Sequence, residues 1–208
     1  MKRLVVFAMV TILAGFAVQA NAGKMYGGIK GGVNFADLKG DDAPDNTSMR
    51  TGFMGGVFAG TNVNEDFGFR VEVLWAQKGA KADSANVEVT YKADYVDIPL
   101  LFVFNVSSSE SMVFSLFAGP SLNFNISAKT EVDGTDYDID NIESFEFGGA
   151  IGAGIAKKMA GGKAVGLDAR YSLGATSIIG DVAGESVSVK NSGIGVMVFF
   201  QVPLGAQD

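Results

Sequence analysis

From Met25 onward, apolar and polar positions alternate with a period of two, which places successive side chains on opposite faces of an extended strand. Eight segments carry the pattern. The first, about Met25 to Ala36, sets Met25, Ile29, Val33 and Phe35, with Gly27 and Gly31, against Tyr26, Lys30 and Asn34. The second, about Gly52 to Thr61, groups Phe53, Val57 and Ala59. The third is the most regular, with Phe67, Phe69, Val71, Val73 and Trp75 opposed by Gly68, Arg70, Glu72, Leu74 and Ala76. The fourth opposes Val96, Ile98, Leu100, Phe102 and Phe104 to Tyr95, Asp97, Pro99, Leu101 and Val103. In the fifth, Phe114, Leu116, Ala118, Leu122, Phe124 and Ile126 face away from Ser115, Gly119, Ser121, Asn123, Asn125 and Ser127. The sixth sets Phe145, Phe147, Ile151, Ala153 and Ile155 against Glu146, Gly148, Gly152 and Gly154. The seventh sets Val165, Leu167, Ala169, Tyr171 and Leu173 against Gly166, Asp168, Arg170, Ser172 and Gly174, and the eighth runs through Ile194, Val196, Val198, Phe200 and Val202.

The connections alternate in length. Long ones fall near Asp37 to Thr51, Gly79 to Thr90, Thr130 to Ile142 and Ser177 to Lys190; short ones fall near Asn62 to Asp66, Asn105 to Ser111 and Lys157 to Lys163. Each apolar face is about ten residues long, the length a tilted strand needs to cross hydrocarbon. The pattern predicts an all-β fold, an eight-stranded antiparallel up-and-down transmembrane β-barrel with both termini on the short-turn side.

Composition decides which face meets lipid. A soluble periplasmic barrel would keep its apolar face inward around a ligand and its charged face in water. The polar faces here are instead dominated by Gly, Ser and Asn, with few charges, as suits a crowded interior. Those charges nearly balance: Lys30, Arg70, Lys78 and Arg170 against Glu72, Asp97, Glu146 and Asp168. Inside a narrow barrel they must pair, because an isolated buried ion costs several kcal/mol, and a lumen charge network of these eight residues is the expectation. Tyr26, Phe35, Phe67, Trp75, Tyr91, Tyr95, Phe145, Tyr171 and Phe200 lie near strand ends, where aromatic girdles form.

Ahead of the strands, Met1, Lys2 and Arg3 precede an apolar run from Leu4 to Val18 and then Ala20, Asn21 and Ala22. The run is shorter than the roughly 20 residues of a membrane-spanning helix, and the small residues suit a signal peptidase, so residues 1–22 are read as a signal peptide cleaved after Ala22. Residues 23–208 then form one barrel domain. The formal net charge is −7, and loss of Lys2 and Arg3 leaves −9, which argues against a nucleic-acid partner. The chain has no Cys, so an exported fold must hold through hydrogen bonding and packing alone.

The chain also has no His. The usual general base, thiolate nucleophile and commonest zinc ligands are therefore missing, and no enzymatic role, catalytic residue, metal site or cofactor is expected. Glu131, Asp133, Asp136, Asp138 and Asp140 crowd the third long connection, and Asp41, Asp42 and Asp45 the first. They lack the spacing and closing Glu of an EF-hand and read as solvated acidic loops.

Five stretches, GIKGGVNFADL (Gly28 to Leu38), VEVLWAQKGAK (Val71 to Lys81), YVDIPLL (Tyr95 to Leu101), FAGPSL (Phe117 to Leu122) and GLDARYSLG (Gly166 to Gly174), resemble the PorT-like, porin-family outer-membrane barrels of Bacteroidetes-type bacteria. The resemblance implies location in the cell outer membrane and contact with its lipid and its assembly machinery. It supplies no binding residue. One departure is that the chain runs on from Phe200 to Asp208 rather than stopping at an aromatic residue, as many such barrels do. The expected role is structural or surface-interacting, through the extracellular loops and a surface or envelope protein partner. A narrow pore or a component of a transport or secretion system is the alternative, and a soluble periplasmic ligand-binding barrel stands behind both.

Overall fold

A computed structural model describes residues 25–44, 47–84, 87–139, 142–180 and 187–204. The expected signal peptide lies outside the described residues, as do Asp45 and Asp140. Nine strands follow in order: β1 (Met25–Lys39), β2 (Thr47–Asn62), β3 (Phe67–Ser84), β4 (Val87–Ser108), β5 (Met112–Val132), β6 (Thr135–Asp138), β7 (Phe145–Lys158), β8 (Ala164–Gly174) and β9 (Lys190–Pro203). Every neighbouring pair is antiparallel, and β1 pairs with β9 from Tyr26↔Pro203 to Lys39↔Lys190, which closes the barrel. Eight strands make the wall. The ninth, β6, turns back on the end of β5 through Asp133 and Gly134, both at positive φ (50° and 78°), a two-residue turn of the primed kind that matches strand twist.

The alternation read from the sequence is the alternation of the wall. Ile29, Phe53, Ile151 and Val198 are all more than half exposed on the outside, and they belong to a belt of exposed large apolar residues that circles the barrel. Monomeric soluble proteins rarely expose contiguous apolar patches beyond a few hundred Å², so this surface requires lipid. Trp75, Val96, Phe124 and Phe145 are successive partners across β3, β4, β5 and β7 on that outer surface. Toward the short-turn end, Phe67, Phe69, Phe102 and Phe104 form a contiguous outer cluster, with ring centroids as close as 4.8 Å.

Among the described residues the wall shifts register at three places, two of them between β4 and β5, at Asp94/Tyr95 and Asn105/Ser107. Between β2 and β3 the pairing shifts between Met49 and Met54. Side chains replace the missing ladder bonds: Gln77 Oε1 accepts the Phe53 N–H (3.1 Å), Asn34 Nδ2 donates to the Gln77 carbonyl (2.8 Å) and Arg50 Nη1 to the Lys78 carbonyl (2.5 Å). Backbone groups facing hydrocarbon have no water to bond, so such substitutes are obligatory.

Two features differ from the sequence expectation. The long connections Gly79 to Thr90 and Thr130 to Ile142 are largely strand: β3 and β4 stay paired to Ser84↔Val87, and β5 and β6 form a hairpin. Above the membrane both faces of a strand meet water, so the polarity contrast that marks a strand fades while its hydrogen bonds continue. Tyr26, Tyr95 and Tyr91 also depart from the girdle expectation. Tyr26 and Tyr95 point into the barrel, and Tyr91 packs against a buried cluster at its upper mouth. Tyr26 shares strand parity with Lys30, and Tyr95 with Asp97.

Because Ile151 lies mid-strand on the lipid face, Ile151→Arg is expected to cost about 2–4 kcal/mol in reversible unfolding from bilayers. A change below 1 kcal/mol (on the order of an interfacial site) would place that face out of hydrocarbon.

Candidate functional site

The lumen is filled in layers. At the short-turn end Tyr26, Phe58 and Phe199 pack edge to face, with centroids 6.4 and 6.0 Å apart, and close the floor. Below them a vestibule of about 350 Å³ opens to solvent, bordered by Tyr26, Asn62, Asn64 and Glu65.

Above this floor lies the larger ion cluster. Glu72 on β3 is held by three cations: Lys30 Nζ at 2.8 Å, Arg70 Nε at 2.8 Å and Arg170 Nη2 at 2.8 Å. Asp168 on β8 takes Lys30 at 2.5 Å, Arg70 at 3.3 Å and Arg170 at 3.8 Å. Three cations thus meet two carboxylates. The surplus positive charge sits against aromatic faces: Arg70 lies 4.7 Å and Arg170 5.5 Å from the Phe117 centroid, and Lys30 lies 5.1 Å from Phe58. The negative face of an aromatic ring attracts a cation most strongly where water is excluded.

A second, smaller cluster sits nearer the end with the long connections, where Lys78 Nζ lies 2.9 Å from Asp97 and 3.5 Å from Glu146. Here the carboxylates are in excess. Neutral donors make up the difference, since Asn123 Nδ2 and Asn191 Nδ2 each donate to Glu146 Oε2 at 3.2 Å. Between the clusters is a cavity of about 20 Å³, lined among others by Lys78, Asp97, Asn123 and Arg170, with room for about one water molecule. Above Lys78, Leu38, Ala80, Ile178 and Val189 form an apolar cap over the upper mouth, with Tyr91, Ile179 and Val187 packed against it.

All eight residues singled out from the sequence, Lys30, Arg70, Glu72, Lys78, Asp97, Glu146, Asp168 and Arg170, are buried inside the barrel, in two groups. The sequence reading missed Phe58 and Phe117, whose rings lie against those cations; strand parity alone puts each on the inner face. The small residues expected of a crowded interior make room at particular places. A Cβ on Gly174 would fall 2.0 Å from Glu146 Oε1, and one on Gly152 would fall 2.6 Å from the Phe117 ring. These glycines are the sockets for the long side chains.

Beyond the wall, Lys92 bridges Glu131 and Asp136 across β4, β5 and β6. The hydrogen bond from Lys92 holds the Asp136 carboxyl below its usual range, and the bond to Glu131, followed by that to Asp136, raises the Lys92 ammonium above its own. Among the described residues, no group of three or more His, Cys, Asp or Glu converges to hold a metal ion.

Charge counting in the larger cluster sets an order of stability. Glu72→Gln leaves three cations around one carboxylate and is expected to cost about 3–5 kcal/mol, the range for breaking a buried pair. Lys30→Met leaves two cations with two carboxylates, among the Phe58 and Phe199 rings, and is expected to cost clearly less. Urea unfolding in micelles, followed by heat-modifiable gel migration, ranks the two variants; the reverse order would contradict the pairing described.

The described fold is that of known outer-membrane barrels. OprG from Pseudomonas aeruginosa superposes with a TM-score of 0.51 at 10% identity, covering 91% of this chain and 100% of that one. Neisserial surface protein A gives a TM-score of 0.50 at 17% identity, covering 86% of this chain and 96% of that one. No curated protein matches the sequence. The model of the outer membrane protein beta-barrel domain matches residues 19–180, most of the chain. With its lipid-facing apolar wall and charged, packed interior, the chain belongs to the outer membrane protein beta-barrel domain family.

Proposed function

We propose that this protein is a sealed outer-membrane barrel of the PorT-like kind, exported by a signal peptide cleaved after Ala22, whose work is done by its extracellular end on a surface or envelope partner. The observation that carries the reading is the filled lumen. An aromatic floor, two ion clusters and an apolar cap occupy the path between the two mouths, and the cavity between the clusters admits about one water. An eight-stranded interior is just wide enough for side chains, which supports a lumen closed to diffusion. The missing His and Cys favour a binding or structural role over catalysis.

The extracellular end, by contrast, is built outward. The β3–β4 and β5–β6 hairpins extend the wall beyond the apolar belt, and all four residues of β6 are exposed there. Recording from the purified barrel in planar bilayers tests the reading. Silence at ordinary ionic strength is the expected result, and a steady, sizeable conductance would favour a narrow pore or a transport component instead.

A further inference from the structure

The strand β6 ends the sheet. It pairs with β5 from Lys129↔Asp138 to Val132↔Thr135, and among the described residues no strand lies on its other side. All four of its residues are exposed. The bond from Ile139 N–H to the Ala128 carbonyl (3.1 Å) continues the ladder beyond Asp138. It fixes the parity: Thr135, Tyr137 and Ile139 exchange bonds with β5, whereas Asp136 and Asp138 direct their N–H and C=O groups away from it.

An unpaired edge of this kind is a template for another strand, and proteins blunt such edges with charge. Here the charge has one sign. Between Lys129 and Lys157 the chain has no Lys or Arg, while Asp133, Asp136 and Asp138 line the hairpin. Asp136 is held by Lys92 and Lys129, whereas Asp133 and Asp138 make no ion pair among the described residues. Two copies of β6 paired edge to edge would set carboxylate against carboxylate, which opposes pairing. A strand with basic residues at alternate positions would place a cation opposite Asp136 and Asp138 while completing the backbone bonds of both.

Resting on the surface-interaction reading above, we infer that the outer edge of β6 is a docking site for an extended, lysine- or arginine-bearing peptide segment of a protein partner, bound by strand addition. The probe is a fluorescent synthetic peptide of alternating lysine and threonine, titrated by anisotropy onto the full barrel in micelles. It is expected to bind in a salt-sensitive way, whereas an alternating glutamate and threonine peptide is not.

Asp138→Asn removes the charge and keeps the backbone donor. Asp138→Pro removes the outward N–H, which β5 does not use, so the hairpin stays intact. Each is expected to weaken binding, the proline by about tenfold, roughly the worth of one backbone hydrogen bond. Heat-modifiable migration confirms that both variants fold. Absence of binding to the unmodified barrel, or binding that Asp138→Pro leaves unchanged, would overturn strand addition. Bilayer recording of the same preparation separates the two ideas: a silent barrel that ignores the peptide loses only the β6 site, whereas a conducting one loses the sealed-barrel reading.

Discussion

Closing a sheet with eight strands leaves an interior about as wide as the side chains that line it, and that narrowness governs the rest of the molecule. A residue on the inner face has three acceptable fates: to be small, to pack against an aromatic ring, or to be an ion whose partner reaches it from across the barrel. Glu72 shows the third in concentrated form, with Lys30, Arg70 and Arg170 arriving from β1, β3 and β8. Glycines such as Gly174 and Gly152 provide the first, so that Glu146 and Phe117 have somewhere to lie. The ion clusters are therefore a consequence of closure as much as a support for it, because pairs such as Lys30–Asp168 and Arg170–Glu72 tie strands that are distant in sequence.

The surplus charge on each cluster is handled by different chemistry. In the larger one, a spare cation meets the faces of Phe58, Phe117 and Phe199. In the smaller one, spare carboxylate capacity meets the amides of Asn123 and Asn191. Among the described lumen residues of the two clusters, four cations face four carboxylates. A buried network of this type need not contribute net stability over an apolar filling, but removing one member leaves an uncompensated ion.

Much of this was legible in the sequence because lipid imposes a strict rule on the wall. Lys30, Arg70, Glu72, Asp168 and Arg170 stand out as charges on alternate positions of otherwise apolar segments, and period-two parity assigns each a face. The same parity places Tyr26, Tyr95, Phe58 and Phe117 inside, but their hydrophobicity suggests the opposite. An apolar residue on the inner face of a barrel looks like a lipid-facing one unless position outweighs polarity. The extracellular strands escaped for another reason: in water neither face is constrained, so the clearest cue to the β5–β6 hairpin is the Asp133–Gly134 turn itself. The exposed side chains at that end follow no packing rule.

If its own side chains seal the lumen, Met197 reports on the seal directly. It lies on β9 facing inward and is 1% exposed, in a chain with no native Cys to confuse labelling. Met197→Cys in lipid bilayers should resist a water-soluble maleimide applied from either side until the barrel is unfolded. Prompt labelling in the folded barrel would mean that water fills the lumen, and would contradict the account.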